Sequence, residues 1–398
     1  MTLSKVFNDF FNSEKAGGFV LIFATLLSLI IANTTLGAVY SSFWNYNIGS
    51  HSLTHWINDG LMAIFFLLIG LELRREISLG ELSSIKQAAF PVFAAVGGMI
   101  VPAAIFLLFN YGTSTQNGAG IPMATDIAFA VGILSLLSKK VPASLKIFLM
   151  ALAVIDDLGA IIIIAVFYTK TILWLNLFIA LGIFVGLLIL NRFKVKHLIP
   201  YLLGGCAMWY FMLHSGVHAT ISGVLLGFAI PFGNGGEKTA SYILQHRLHK
   251  PVAFIILPLF ALANTCILFT GNISESLFTS SSIGIVAGLV LGKPLGIFLF
   301  TFAGVVTGIC SLPGDLNWKK IISAGCLGGI GFTMSIFITL LAYDNAVLQN
   351  NSKIAILVAS LVAAIIGYLL LKATLRNTID PEKEKDKIFT SEKRIGEL

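Results

Sequence analysis

The sequence predicts an all-α integral membrane protein with about twelve transmembrane helices. Of its 398 residues, 57% are hydrophobic and only 11% are charged, and the mean hydropathy is +0.90. A soluble protein carries about 25% charged residues, so the composition alone excludes that class. Apolar runs long enough to cross a bilayer recur along the whole chain. A separate soluble catalytic domain therefore has no room in this sequence.

The apolar runs define the individual spans. A helix needs about 20 mostly apolar residues to cross the hydrocarbon core. We expect one membrane domain over 1–376, followed by a charged cytoplasmic tail at 377–398. The predicted spans are 17–32, 56–77, 88–109, 119–137, 143–168, 172–191, 197–213, 216–231, 251–270, 281–302, 321–343 and 353–375.

The positions of the basic residues support this topology, because cytoplasmic connections are enriched in Lys and Arg. With twelve spans, 23 of the 26 Lys and Arg residues fall on one side, Lys170 and Lys353 fall on the other, and Lys293 lies inside a span. Both termini are therefore expected in the cytoplasm. The same distribution explains the basic pI near 9.2 without a nucleic acid partner.

The fifth span carries two adjacent carboxylates at its centre, Asp156 and Asp157, in SLKIFLMALAVIDDLGAIIIIAVF. An Asp at bilayer depth costs about 2.5–3.5 kcal/mol on insertion scales, so the pair indicates a functional site. Neighbours on a helix point about 100° apart. One aspartate can therefore face an ion pathway while the other meets a different partner.

Lys293 is the cationic counterpart within the membrane. It lies in SIGIVAGLVLGKPLGIFLFTF, about ten residues from either end of the tenth span. A Lys near the end of a span would snorkel to the interface. At this depth, pairing with a membrane carboxylate or loss of its proton is expected instead.

Two spans contain helix-weakening residues beside polar groups. In the fourth span, Gly118, Gly120 and Pro122 precede Thr125 and Asp126, and in the eleventh, four glycines between 325 and 331 precede a Thr. Glycines in membrane helices often serve only close packing. Interrupted spans in both halves of a chain, however, are typical of secondary transporters with a binding site at the midplane.

The candidate ligands at this midplane are carboxylates and a hydroxyl. Such hard oxygen atoms suit Na⁺ or Li⁺ and can equally accept protons, and the sequence has no cluster of soft ligands. Burial, mutual repulsion and a Lys partner would make these groups titrate as a coupled set. The sequence therefore predicts a site at which a cation and protons compete, with no bound cofactor.

On these residues, the chain resembles the NhaA family of sodium/proton antiporters. The stretches that carry the resemblance are specific: WINDGLMAIFFLLIGLELRRE at 56–76, PMATDIAFAVGIL at 122–134, ALAVIDDLGAIIIIA at 151–165, SGVHATISGVLLGF at 215–228, LPLFALANT at 257–265, GKPLGI at 292–297 and GGIGFTMSIFI at 328–338.

The resemblance implies an inverted-repeat antiporter fold with crossed, broken helices four and eleven. It also implies that Asp157 is the principal cation ligand and that Asp156 contributes to the site while it pairs with Lys293. By the same matching, Asp126 and Thr125 stabilise the crossed half-helices and line the cation path. The expected function is electrogenic Na⁺(Li⁺)/H⁺ antiport by alternating access, which extrudes sodium, serves sodium and pH homeostasis, and is transport rather than enzyme catalysis.

The resemblance further implies regulation by pH at the cytoplasmic end of the site. The matching positions are Glu72, Arg75, Glu76, His246 and His249, while Gln245 stands where the family has a Glu. The alternative for the first three is an ordinary solvated helix end with i,i+4 pairing. A surface His near a membrane also often has no special role.

The resemblance also implies a bacterial inner-membrane location and a homodimer, supported by a short β-hairpin within 34–55. Two other functions remain open from the residues. An intramembrane aspartyl protease needs aspartates on two helices and a GxGD motif, which is absent. A sodium-coupled symporter of an organic anion would be expected to add cationic or amide groups at the midplane, whereas this site is mostly acidic.

Overall fold

The fold is helical throughout the part of the chain that the computed structural model describes, apart from one short hairpin. That part comprises residues 3–137, 141–169, 171–268 and 273–376. The predicted tail at 377–398 lies outside the described residues, as do three lysines of the charge pattern, Lys139, Lys140 and Lys170.

The helices follow one another with short connections. The α-helices are α1 Leu3–Ala32, α2 Gly37–Trp44, α3 Leu53–His55, α4 Met62–Leu79, α5 Ile85–Asn110, α6 Ile127–Ser135, α7 Ala143–Phe167, α8 Trp174–Arg192, α9 Leu198–Leu213, α10 Ile221–Ala229, α11 Ala240–Pro251, α12 Leu257–Asn264, α13 Ile273–Leu277, α14 Ser280–Ala287, α15 Lys293–Val306, α16 Trp318–Gly328, α17 Phe332–Ala342 and α18 Ala346–Arg376. The 3₁₀ segments are Glu81–Ser83 and Gln116–Met123, and the π-helical turns are Trp56–Leu61, Val252–Ile256 and Gly288–Gly292.

Each of the twelve predicted windows contains at least one helix, although several include non-helical residues, and the chain is a multi-pass membrane protein. Among the described residues, seven helices are long and apolar enough to cross a bilayer, or up to nine if each bent pair forms one span. The helix Leu198–Leu213 is apolar but shorter. The count of twelve crossings therefore stays a prediction.

The two interrupted spans are broken where the glycines and the polar residues meet. The fourth begins as the 3₁₀ segment Gln116–Met123, is extended at 124–126, and resumes as α6. The eleventh bends by 49° between α16 and α17. The two breaks contact each other, because the Asp126 amide donates to the Ile330 carbonyl at 2.7 Å. This contact satisfies backbone groups that lipid could not.

Glycines also set the packing of α4 against α10. A Cβ at Gly223 would lie 2.1 Å from the Ala63 carbonyl oxygen, and one at Gly70 would lie 2.8 Å from the Val224 carbonyl oxygen. The two backbones are therefore in direct contact. At the end of this pair, the Arg74 guanidinium donates to carbonyls at the end of α10, including that of Ile230 at 2.7 Å. The helix bearing Glu72 is thereby fixed to its neighbour.

The segment between the first two predicted spans contains the predicted hairpin. Strands β1 Asn47–Ile48 and β2 His51–Ser52 are antiparallel, with Asn47 opposite Ser52 and Ile48 opposite His51. The hairpin is therefore confirmed. The sequence did not predict the preceding helix α2, which turns away from α1 by 119°.

Candidate cation site

A cleft between the two broken spans and their neighbours carries most of the predicted site. Its apolar walls come from α4, α6, α12 and the π-turn Val252–Ile256. Its polar lining consists of Glu72, Thr125, Asp126, Asp157 and Thr333. The structure thus brings carboxylates from three different spans to one cavity at the level of the helix breaks.

The two adjacent aspartates have different surroundings. Asp157 lines the cleft, whereas Asp156 accepts hydrogen bonds on Oδ2 from Lys293 Nζ and from Thr125 Oγ1, both at 2.7 Å. Asp156 and Lys293 are fully buried at the side chain. Lys293 also donates to the Met123 carbonyl, and Thr125 donates to the Gly328 carbonyl at 2.8 Å. A charged pair with these extra partners satisfies the conditions under which buried ions are tolerated.

Asp126 occupies the junction of two helix N-termini. Its Oδ1 accepts from the Phe129 amide at 2.9 Å at the start of α6, and its Oδ2 accepts from the Thr333 amide at 3.0 Å at the start of α17. Helix N-termini carry a partial positive charge and unpaired amides. The carboxylate satisfies both ends at once, and the Thr333 hydroxyl donates to the same oxygen.

The remaining oxygen atoms point to a ligand. Oδ1 of Asp156 and Oδ1 of Asp157 are buried and make no hydrogen bond within the described part of the chain. Buried polar atoms are normally paired. Within that part, no three His, Cys, Asp or Glu side chains converge to hold a metal ion. A cation would therefore be held by carboxylate oxygens together with hydroxyl, carbonyl or water oxygens, a donor set that suits Na⁺ or Li⁺.

Comparison with known proteins identifies the family to which the chain belongs. The sequence profile of the family described as Na⁺/H⁺ antiporter 1 matches residues 8–371. The chain belongs to this family. The Na⁺/H⁺ antiporter NhaA of Flavobacterium psychrophilum is 66% identical over 383 residues, which cover 96% of this chain and 100% of that protein. The NhaA of Cytophaga hutchinsonii is 60% identical over 382 residues, which cover 96% and 99%.

A solved structure shows the same fold at low sequence identity. The sodium proton antiporter MjNhaP1 from Methanocaldococcus jannaschii matches with a TM-score of 0.55 and 17% identity, covering 94% of this chain and 100% of that one. This match confirms the all-α antiporter fold. Membership of the family confirms the resemblance seen in the sequence, and it makes the chain a transporter rather than an enzyme.

Within this antiporter, the predicted pH-sensing residues lie where α4 meets α11. Glu72 lines the same cleft as Asp157, and Gln245 is within side-chain hydrogen-bonding reach of it. The Arg75 guanidinium lies over the ring of Tyr242 in α11, 5.7 Å from the ring centroid. These contacts connect the end of the second span to the helix that precedes the ninth.

The other predicted pH-sensing residues differ in exposure. Glu76 Oε2 accepts from the Glu81 amide at 3.2 Å, which ties it to its own helix end. His246 is exposed, and its ring stacks on Tyr242 with centroids 6.2 Å apart. His249 is buried, and burial lowers its pKa to about 4, with smaller contributions from His246 and Lys250. Its ring is therefore neutral at physiological pH in this conformation.

Several contributors to the site were not singled out from the sequence. Thr333 binds Asp126 through both its amide and its hydroxyl, and the carbonyls of Met123 and Gly328 accept from Lys293 and Thr125. Thr333 lies two residues after the last glycine of the break, so the sequence could have indicated that it stands at the N-terminus of a half-helix. Backbone carbonyls carry no signal in the side-chain sequence.

Proposed function

We propose that this Na⁺/H⁺ antiporter exchanges Na⁺ or Li⁺ for protons at Asp157 by alternating access, and that the exchange is electrogenic. The observation that supports this most directly is the position of Asp157. It lines the cleft, and its Oδ1 is buried without a hydrogen bond among the described residues. Such an oxygen can bind either a cation or a proton, but not both at once.

The neighbouring groups give Asp157 this role. Lys293 and Thr125 already engage Asp156, so Asp156 shapes the site and its second oxygen, Oδ1, can join Asp157 in binding the cation. Asp126 is held by two helix ends and acts by keeping the half-helices together. Cation binding then expels protons from the carboxylates, and protonation expels the cation.

The resemblance to the NhaA family implies that more than one proton is exchanged for each Na⁺, which would couple transport to the membrane potential. If more than one proton enters for each Na⁺ that leaves, each turnover moves net charge, and the potential contributes about 2.3 kcal/mol per charge per 100 mV. The exchange would thereby extrude sodium and adjust internal pH. We place the protein in a bacterial inner membrane with both termini in the cytoplasm, on the basis of its basic connections and its bacterial relatives.

Regulation by pH is proposed for the region around Glu72, Arg75, Glu76 and His246. The support is that Glu72 shares the cleft with Asp157 and contacts α11 through Gln245. A change of charge at this end could alter access to the cation site. A homodimer formed through the exposed strand Asn47–Ile48 is likewise proposed, and its test is the oligomeric state of a variant lacking the hairpin.

The decisive experiment is dequenching of a ΔpH probe in everted vesicles from an antiporter-deficient bacterial strain. Na⁺, Li⁺ and K⁺ are added in turn, with Asp157→Asn tested beside wild type. We expect release of protons with Na⁺ and Li⁺ in wild type and none in the variant. Asp315→Asn is the matched control, because Asp315 is exposed and lies outside the cleft lining. Full activity in Asp157→Asn would overturn the assignment of the site.

A further inference from the structure

Two tyrosines connect the outer half of the fourth span to the helices that carry the site. Tyr168 follows α7, which bears Asp156 and Asp157, and Tyr343 follows α17, which bears Thr333. These two site helices, α7 and α17, are therefore each followed directly by a tyrosine. Both tyrosines are buried, with 7% and 4% of their surface exposed.

The two tyrosine hydroxyls bind the same short stretch of backbone. Tyr168 Oη donates to the Asn117 carbonyl at 2.7 Å, and Tyr343 Oη donates to the Thr115 carbonyl at 2.9 Å. Ser281 is a second hydroxyl partner of Tyr343, at 3.1 Å. These carbonyls lie at the start of the 3₁₀ segment Gln116–Met123, which has poorer internal hydrogen bonds than an α-helix.

Glycines make this approach possible. A Cβ at Gly120 would lie 2.6 Å from Tyr168 Oη, and one at Gly118 would lie 2.0 Å from Tyr343 Oη. The hydroxyls thus occupy the space where side chains would otherwise be. The glycines that weaken the fourth span also admit the groups that hold it.

The 3₁₀ segment leads directly into the cation site. Its last residue, Met123, supplies the carbonyl that accepts from Lys293, and Thr125, two residues later, donates to Asp156. At the other end of the segment, the partner of the Asn117 carbonyl is Tyr168, which lies 11 residues beyond Asp157, directly after α7. The segment is therefore fixed at both ends to the helix that carries the carboxylates, so its placement determines where Thr125 and the Met123 carbonyl lie.

We propose that Tyr168 and Tyr343 form a tyrosine collar that positions the cation site, and that they act on cation affinity without touching the cation. The collar keeps the 3₁₀ segment in register with α7 and α17. Loss of either hydroxyl would let Thr125 and the Met123 carbonyl move relative to Asp156. The site would then bind Na⁺ and Li⁺ less tightly, while the maximal rate of exchange would be retained.

The first test compares Tyr168→Phe and Tyr343→Phe with wild type in the same vesicle assay. We expect the apparent KM for Na⁺ and Li⁺ to rise by about 2- to 10-fold, the range that one neutral hydrogen bond supports, with the maximal rate retained. Tyr201→Phe is the matched control, because Tyr201 is fully buried and its hydroxyl donates to the Val195 carbonyl at 3.0 Å, outside the cation site. An unchanged KM in both collar variants, or an equal rise in Tyr201→Phe, would overturn the proposal.

The second test uses the glycine that faces one hydroxyl. In Gly120→Ala the new methyl group would meet Tyr168 Oη at 2.6 Å, while its other neighbours lie at 3.4 Å. Gly120→Ala should therefore raise the KM, and Gly120→Ala/Tyr168→Phe should be no worse than Tyr168→Phe alone. Independent, additive effects would show that the hydroxyl and the glycine do not act through this contact, which would refute the collar.

The second glycine supplies the contrasting case. A Cβ at Gly118 would also lie 2.8 Å from Tyr343 Cζ and from Phe106 Cζ, so removing the Tyr343 hydroxyl should not rescue Gly118→Ala. Size-exclusion profiles identify any variant that fails to fold, and the other tyrosine then carries the test. The collar proposal presupposes the Na⁺/H⁺ exchange proposed above. Absence of a Na⁺ response in wild type would refute the exchange, whereas a wild-type response with unchanged KM in the variants refutes only the collar.

Discussion

Removal of the counterion of Lys293 tests how the buried pair contributes to stability. In Asp156→Asn the ammonium keeps the Met123 carbonyl but loses a charged partner at 2.7 Å, with both side chains fully buried. Loss of one member of a buried pair costs about 3–5 kcal/mol of unfolding free energy. Asp157 also interacts electrostatically with Lys293, so we expect the lower value, about 3 kcal/mol, which for a chain of 398 residues is a fall of roughly 4 °C in the melting midpoint.

The assay is thermal denaturation of detergent-purified protein, followed by tryptophan fluorescence. The double variant Asp156→Asn/Lys293→Gln serves as the control, because it removes both charges of the pair and should recover most of the loss. Both variants lose the charged hydrogen bond, and only the single variant strands an ammonium group. A single variant that melts at or above the temperature of the double variant would refute this reasoning.

Three further predictions concern helix packing and the buried His249. Gly223→Ala should lower the unfolding free energy by about 1–3 kcal/mol, because its Cβ would meet the Ala63 carbonyl oxygen at 2.1 Å. Gly182→Ala, with open space around its Cβ among the described residues, should be neutral or stabilising, and an equal loss in both would contradict the packing argument. The His249 ring is already neutral above about pH 6.5, so His249→Gln should not change the pH at which exchange is half-maximal, if that pH lies above 6.5. A shifted midpoint would contradict this. The pKa of His249 in the folded state, about 4, lies below its unfolded value of 6.5, so its contribution to stability is present above about pH 6.5 and is lost as the pH falls toward 4. The melting temperature of His249→Gln should therefore depend less on pH than that of wild type between pH 6.5 and 4.

The membrane class and the position of the candidate site could be predicted because their signals are strong in the sequence. Two carboxylates at the centre of a mostly apolar run of 24 residues, Ser144–Phe167, are not explained by packing alone. The glycines before Thr125 and Thr333 marked the two spans that the structure breaks. The spacing of 3.6 residues per turn also required Asp156 and Asp157 to point in different directions.

Other features depend on three-dimensional contacts that the sequence does not record. The first half of the fourth span is 3₁₀ rather than α, and π-turns precede both α12 and Lys293. Such local changes of helix type follow from tertiary packing and are not visible in hydrophobic periodicity. Helix α2 lay in a segment that reads as an external loop. The partners of Lys293 and Thr125 are partly backbone carbonyls, which every residue has.

The different roles that we propose for the two adjacent aspartates rest on the position of Lys293. Two equivalent buried carboxylates would compete for the same counterion and for the same proton. Because Lys293 and Thr125 both bind Asp156 Oδ2, that competition is resolved in favour of Asp156. Asp157 faces the cleft, and its Oδ1 makes no hydrogen bond among the described residues, so a cation or a proton that enters the cleft can bind it. The exchange that we propose requires such a carboxylate, since a group that stays paired with Lys293 would bind neither a cation in one conformation nor a proton in the other.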